Sequence, residues 1–364
     1  MSPRTPHGTL ILLRHGQSIW NITDPSVGLV SRFTGWADIA LTSHGVLQAE
    51  AAGRSLVSLR RFGKIDAAYC SLLSRAVDTC DIVLKECGLK LHVGESKVAT
   101  PSKKTLNFAG CYKIPVTYSW RLNERHYGGL VGLSKAAVEQ KYSSELLHQW
   151  RYSWHTRPPP MDEDLRLYWE KNAGWCKTIT HSTKPRASTN SIREGRERGG
   201  MWPKMSMLTT EPSVSSTGFA AMPRCESLCD CAWRFLPLWT ESIAPRLRRG
   251  ESVLVVAHAN TIRSALYYLD PVRVKKDNLK EVKIPSAVPL VYRFRPAKLD
   301  DHKRDILTGK LIHVQGGRDC LSTSTGKKLS DVQLGGEWFK TVDIEKLSFC
   351  TKKGQEEALE HEIA

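Results

Sequence analysis

Acidic side chains are scarce in this 364-residue sequence: 37 Asp and Glu stand against 53 Lys and Arg, a formal charge of +16. A surplus of that size favours anionic partners, because a positive field concentrates anions near the surface. Long apolar runs are missing as well. None approaches the roughly 20 residues that a membrane-crossing helix needs, and the amino-terminal run is too short for a secretory leader, so no membrane partner is expected. The last residues, His361-Glu362-Ile363-Ala364, are not a peroxisomal-type address; cytoplasm is the default expectation, with organellar import left open. A cysteine framework is lacking too, since the ten cysteines are scattered along the chain and an intracellular role would keep them reduced. Cys225, Cys229 and Cys231 are the one cluster. They sit in a stretch that reads as a helix, with no turn or fourth ligand, so no metal is expected.

With 41% hydrophobic residues, the chain can bury a full core, and one α/β domain with insertions is favoured over two equal domains. Strands are expected at Leu10–Leu13, Ala67–Ser71, Val253–Ala257 and Leu290–Phe294. They alternate with helices near Gly45–Leu59, Ser74–Glu86, Lys135–Lys141, Glu226–Leu247 and Thr261–Leu269. That alternation predicts a three-layer α/β/α sandwich with a mostly parallel central sheet. The domain is expected over 8–297, with insertions near 22–32, 93–116 and 165–224, and a diverged tail over 298–364. Within the largest insertion, Lys184–Lys204 holds six basic residues against Glu194 and Glu197. It reads as a mobile surface loop; a nucleic-acid role for its arginines and Trp202 is disfavoured, because no recognised motif accompanies them. The tail reads as mobile, with a short acidic helix near Glu356–Glu362.

The chemistry begins at Arg14-His15-Gly16-Gln17, directly behind the apolar run Leu10–Leu13. A buried strand that ends in a glycine turn presents such residues at its carboxyl end, where open α/β sheets bind ligands. Arginine matches phosphate oxygens with a planar fork of donors, and a neutral imidazole nitrogen can attack phosphorus without losing a proton first. A second strand-like run, Ser252–Ala257, ends at His258-Ala259-Asn260. In a parallel sheet, the two histidines would share one edge although 243 positions separate them. Arg75 stands near the start of a helix, a location that favours anions.

The stretch Leu13-Arg14-His15-Gly16-Gln17-Ser18-Ile19-Trp20-Asn21 resembles the amino-terminal signature of cofactor-dependent phosphoglycerate mutases, within the histidine phosphatase superfamily. Phe33-Thr34-Gly35-Trp36, Leu73-Ser74-Arg75-Ala76 with Thr79, and Ser119–Leu130 with Gly132-Leu133-Ser134-Lys135 continue the likeness in order. So do Trp150-Arg151, Pro158-Pro159-Pro160-Met161, Cys225-Glu226-Ser227-Leu228, and Ile284-Pro285 before Pro289–Tyr292. The resemblance spans roughly residues 9 to 295 and leaves the tail aside.

It implies that His15 accepts the phosphoryl group, that Arg14, Arg75 and His258 stabilise the charge spread over its oxygens, and that Glu124 serves as acid and then base. Read from the residues alone, Glu124 is better taken as a buried partner of Arg121 or Arg125, and the flanking resemblance turns the reading to catalysis; a carboxyl among apolar and aromatic neighbours would hold its proton to higher pH. The resemblance further implies that Tyr127, Lys135 and Arg151 bind the substrate carboxylate and second phosphate. Ser18, Asn21, Thr34 and Gly35 would line the first phosphate pocket, with Gly16, Gln17, Arg125, His126, Tyr152, Ala259 and Asn260 completing the binding set. The implied ligands are 3-phosphoglycerate, 2-phosphoglycerate and 2,3-bisphosphoglycerate as phosphoryl primer, without a metal; a homo-oligomer is left open.

Two residues depart from the pattern. Ala259 stands where glycine is usual, and would be strained if a positive φ were needed; Tyr152 stands where a second arginine is expected, which should weaken binding of a bisphosphorylated ligand. Three functions follow as expectations: a phosphoglycerate mutase, a histidine phosphatase of small phosphomonoesters, or a catalytically weakened paralogue whose insertions bind a protein or nucleic acid.

Overall fold

The computed structural model describes residues 8–24, 26, 28–58, 64–93, 112–172, 223–270 and 273–294, together with a strand at 337–338. Strands β1 (Gly8–Arg14), β2 (Ala67–Cys70), β3 (Leu89–Val93), β4 (Tyr112–Tyr118), β5 (Ser252–Ala257), β6 (Leu290–Phe294) and β7 (Glu337–Trp338) form one sheet in the order β3-β4-β2-β5-β1-β6-β7. Pairing is parallel from β3 through β1 and antiparallel at β6 and β7.

Side chains alternate across a strand, and this sheet is apolar on both faces. In β1, Leu10 and Leu12 join one core cluster while Ile11 and Leu13 join the other; in β5, Val253, Val255 and Ala257 face the first and Leu254 and Val256 the second. Continuous apolar runs are therefore what strands buried on both faces require. Helices α1 (Ser43–Ser58) and α2 (Ser74–Glu86) cover one face. The other face carries α6 (Leu228–Leu238), α7 (Ala244–Arg248) and α8 (Ala259–Leu269). Each buries an apolar stripe at helical spacing, as with Ile262, Ala265, Leu266 and Leu269 in α8. This is the three-layer architecture expected from the sequence.

Several boundaries differ from the sequence reading. The helix expected over 226–247 starts at Leu228, because the Ser227 side chain caps it and Asp230 reciprocates in a capping box. It does not run through: Pro237 lacks an N–H, and a π-helical turn at Trp239–Ile243 follows before α7. The insertion expected over 93–116 includes sheet at both ends, since Val93 closes β3 and 112–116 belong to β4. The insertion expected over 165–224 begins with ordered structure too: α5 (Glu163–Asn172) buries Trp169 against Trp36, Val131 and Met161. Two further helices, α3 (Lys135–Lys141) and α4 (Ser144–Tyr152), close the region beside them. The basic stretch Lys184–Lys204, Trp202 and the acidic end of the tail lie outside the described residues; the tail contributes β7, paired to β6.

Candidate active site

Three neighbouring parallel strands set the site. β2, β5 and β1 end at the same edge, and the next residues are Ser71, His258 and His15. The His15 N–H extends the ladder to the Ala257 carbonyl at 3.0 Å, and the Ser71 N–H does the same to Val256 at 3.1 Å. His15 and His258 are thereby held with ring centroids 5.0 Å apart, tilted by 54°.

Hydrogen bonds fix the tautomer of each ring. Nδ1 of His15 lies 2.6 Å from the Gly16 carbonyl; a carbonyl only accepts, so Nδ1 carries the proton and Nε2 keeps its lone pair. Burial, reinforced by Arg75 and Arg14, holds the pKa of this imidazole well below its ordinary value. His15 is thus a neutral imidazole with a free nitrogen among cations. At His258, Nε2 lies 2.8 Å from the Ser71 hydroxyl, which itself donates to Asn123 Oδ1 at 2.9 Å. With its proton committed there, the hydroxyl accepts from Nε2–H, and Nδ1 is left buried without a partner. Burial first, then Arg75 and His15, hold His258 well below the usual imidazole value.

The turn after β1 depends on a close backbone approach. A Cβ on Gly16 would lie 2.3 Å from the Gly45 carbonyl oxygen, so neither a methyl nor anything larger fits there. Gly16 N–H donates to Thr79 Oγ1 at 3.0 Å, and Gln17 N–H to Gln48 Oε1 at 2.9 Å, tying the turn to α1 and α2.

Arg14 donates through Nη1 to the Ile284 carbonyl at 2.9 Å, and its Nε is buried and unpartnered. Arg75, almost fully buried, donates to the carbonyls of Gly35 and Ala37 at 2.9 and 2.8 Å. Gly35 has φ +51°, which turns its carbonyl into reach of this guanidinium. Burial lowers the Arg75 pKa to about 10, against opposing pulls from Glu124 and Asp38, and lowers that of Arg14 as well. Arginine with a pKa near 10 remains a cation at neutral pH.

Glu124 sits on the loop after the 3-10 turn Trp120–Leu122. It is not the side-chain partner of Arg125: its Oε1 accepts the Arg125 main-chain N–H at 2.7 Å, while the Arg125 guanidinium donates to the Trp150 carbonyl and leaves Nε and Nη1 unpartnered. Nor is its surrounding apolar. Its charge acts on Arg14, Arg75, Arg234 and Arg263 at once. The loop is held from behind by Arg234, which forms a buried ion pair with Glu226 at 2.7 Å and donates to the carbonyls of Arg121, Asn123 and Glu124 at 2.7, 2.7 and 3.0 Å. His126 N–H meets Glu226 Oε2 at 2.8 Å. Its Nδ1 accepts from Gly128 N–H at 3.0 Å, and burial next to Arg234 pushes the ring pKa down to about 3.

Around this centre lie the residues expected to hold the rest of a ligand. Tyr127 hydroxyl accepts from Asn260 Nδ2 at 2.8 Å, and the Arg125 guanidinium lies 4.5 Å over the Tyr127 ring. Lys135 donates to Ser31 Oγ at 2.8 Å; burial, Arg151 and Arg14 lower its pKa, which places all three in one electrostatic neighbourhood. Arg151 stacks 4.9 Å over Tyr152. Ser18 and Asn21 pair with each other at 2.9 Å, and Thr34 is buried in the loop before Gly35. Ala259 opens α8 with helical backbone, and among the described residues Ala287 is the one non-glycine at positive φ. The strain expected at Ala259 is therefore absent. Sequence reasoning missed Ser71, Asn123, Arg234 and Arg263; only Ser71 carried a signal, as the residue after a strand parallel to the two that deliver histidines.

Residues 10–96 match the model of the histidine phosphatase superfamily, branch 1. Over 290 residues, 80% of this chain, the sequence is 33% identical to a 2,3-bisphosphoglycerate-dependent phosphoglycerate mutase of Corynebacterium efficiens, and it covers 86% of that protein. Among solved structures, phosphoglycerate mutase from Bacillus anthracis is 17% identical, with 80% of this chain and 89% of that chain covered and a TM-score of 0.43. A mycobacterial glucosyl-3-phosphoglycerate phosphatase is 18% identical, with 79% and 91% covered and a TM-score of 0.44.

Proposed function

The chain belongs to the phosphoglycerate mutase family of the histidine phosphatase superfamily, and from that premise we propose that it interconverts 3-phosphoglycerate and 2-phosphoglycerate through a phosphohistidine at His15. The observation that carries this reading is the His15 tautomer: Nδ1–H is committed to the Gly16 carbonyl, so a neutral Nε2 lone pair is available among Arg14, Arg75 and His258. Nε2 attacks phosphorus as the bond from phosphorus to the ester oxygen breaks, and Glu124 gives the departing oxygen its proton. In the reverse sense, the Glu124 carboxylate takes the proton from the substrate hydroxyl as that oxygen attacks the phosphohistidine. The three phosphoryl oxygens gain charge in between, and Arg14 Nε, buried without a partner, is available as a donor to them.

The primer, 2,3-bisphosphoglycerate, would supply the first phosphoryl group. Its second phosphate and carboxylate suit Arg125, Tyr127, Lys135, Arg151 and Asn260, a set with three cations for which simple hydrolysis of a monoester has no need. A second reading, hydrolysis of small phosphomonoesters, is favoured by Tyr152 in place of a second arginine. One experiment separates the readings. The protein is incubated with 2,3-bisphosphoglycerate and tested for acid-labile phosphate on His15, with His15→Ala as control, while conversion of 3-phosphoglycerate and release of phosphate are followed together. Phosphohistidine with 2-phosphoglycerate formation is expected; phosphohistidine with phosphate release alone selects the phosphatase. Absence of phosphohistidine would remove both and leave the weakened paralogue.

A further inference from the structure

Arg263 is buried, 9% exposed, one turn along α8 from Asn260. Its Nε donates to the Val282 carbonyl at 3.0 Å and its Nη1 to Asn260 Oδ1 at 2.7 Å. Fixing Oδ1 turns the Asn260 amide nitrogen the other way, where it donates to the Tyr127 hydroxyl. The guanidinium also lies 6.0 Å from the centre of the Tyr152 ring. No carboxylate is bonded to it among the described residues: its direct partners are carbonyl and amide oxygens and tyrosine rings, and the Glu124 carboxylate acts on it without a bond. Arg125, also fully buried, lies over the same Tyr127 ring with two donors unpartnered. Two buried guanidinium groups around Tyr127 without a bonded acid leave a local positive excess. Burying such charge is costly unless an opposite charge joins it; Glu124 is shared with Arg14, Arg75 and Arg234, so an anionic ligand would supply what it leaves unmatched.

We propose that Arg263 is a specificity-determining residue: it aims Asn260 and Tyr127 and charges their surroundings, so that the pocket selects phosphate esters carrying a carboxylate over those with a neutral end. The identity of the ester rests on the phosphoglycerate reading above, but the selectivity does not depend on whether the phosphoryl group is transferred or hydrolysed. Beside Tyr152, where a second arginine is expected, Arg263 on α8 lies 6.0 Å from the ring centre and supplies a cation from another element.

The test is calorimetric titration of the unphosphorylated protein with 3-phosphoglycerate and with glycerol 3-phosphate, which has a hydroxymethyl group in place of the carboxylate. The native chain is expected to bind the first at least tenfold more tightly. Arg263→Gln should reduce that ratio tenfold, and Arg263→Lys should restore part of it by returning the charge without the fork. Tyr127→Phe, which keeps the ring and removes the hydroxyl, guards against an unfolded arginine variant and should reduce the ratio about threefold. A native ratio below threefold, or an equal loss of both affinities in Arg263→Gln with no recovery in Arg263→Lys, overturns the inference. Missing 2-phosphoglycerate formation would overturn the mutase reading alone and leave the ratio untouched.

Discussion

Replacing Arg234 by Met is expected to be the most damaging single change behind the site. The guanidinium is fully enclosed by the loop it holds: Glu226 on one side, and the carbonyls of Arg121, Asn123 and Glu124 on the other. Against its burial, Cys231 and the Glu226 carboxylate hold its pKa above the usual arginine value, so the guanidinium stays a cation throughout the accessible pH range. Removing one member of a buried pair leaves the other charge stranded and costs roughly 3–5 kcal/mol. That is a large share of the roughly 5–15 kcal/mol that separates folded from unfolded domains. At about 2–4 °C per kcal/mol for a domain of this size class, the melting temperature should fall by roughly 10 °C. Urea unfolding of Arg234→Met, Glu226→Gln and the double variant, read as a mutant cycle, measures the coupling directly. The double variant should recover part of the loss, because it strands no charge. Strictly additive losses, or a cost under about 1 kcal/mol for Arg234→Met, would refute the claim that this pair holds the Glu124 loop.

Three further outcomes follow from the same geometry. His126, pushed down to about 3, stays neutral when folded while the unfolded imidazole protonates near 6.5, so the unfolded state binds the extra proton and stability falls as pH drops from about 6; relative to His126→Gln, the native chain should lose about 2.5 kcal/mol more between pH 6 and 4, and parallel urea midpoints would show the sign or the assignment to be wrong. Ser71→Ala removes the acceptor of His258 Nε2–H, so steady-state kinetics should show kcat reduced about tenfold with KM little changed; an effect on KM alone would place His258 outside the reacting centre. Ala259→Gly should destabilise thermal unfolding by under about 1 kcal/mol, since the residue is helical; a gain in stability would mean that strain was present after all.

The centre of this site was legible because strands that end in histidine leave a local mark: an apolar run, then a polar residue at the break. His15 and His258 both carry it, and Arg75 stands at the second position of α2 as read. β3 and β4 were not legible, since Lys90 and His92 interrupt one and Pro115 the other. α5 was absorbed into an insertion because Tyr168 and Leu167 on its outer side are exposed and only Trp169 reports its burial. Arg234 and Arg263 were invisible for a different reason: their partners lie in three dimensions, with Arg234 reaching carbonyls 110 and more positions away.

Strand β1 lies between β5 and β6, and both neighbours come from the last part of the described chain. During synthesis, a nascent chain therefore carries His15 on an apolar strand with neither edge paired until residue 252 has been added. At translation rates of about 5–20 residues per second, that interval is on the order of 12–50 s. His15, the proposed nucleophile, is made well before the strands that enclose it, so every new molecule passes through a stage in which β1 has open apolar edges and the proposed phosphoryl chemistry cannot begin.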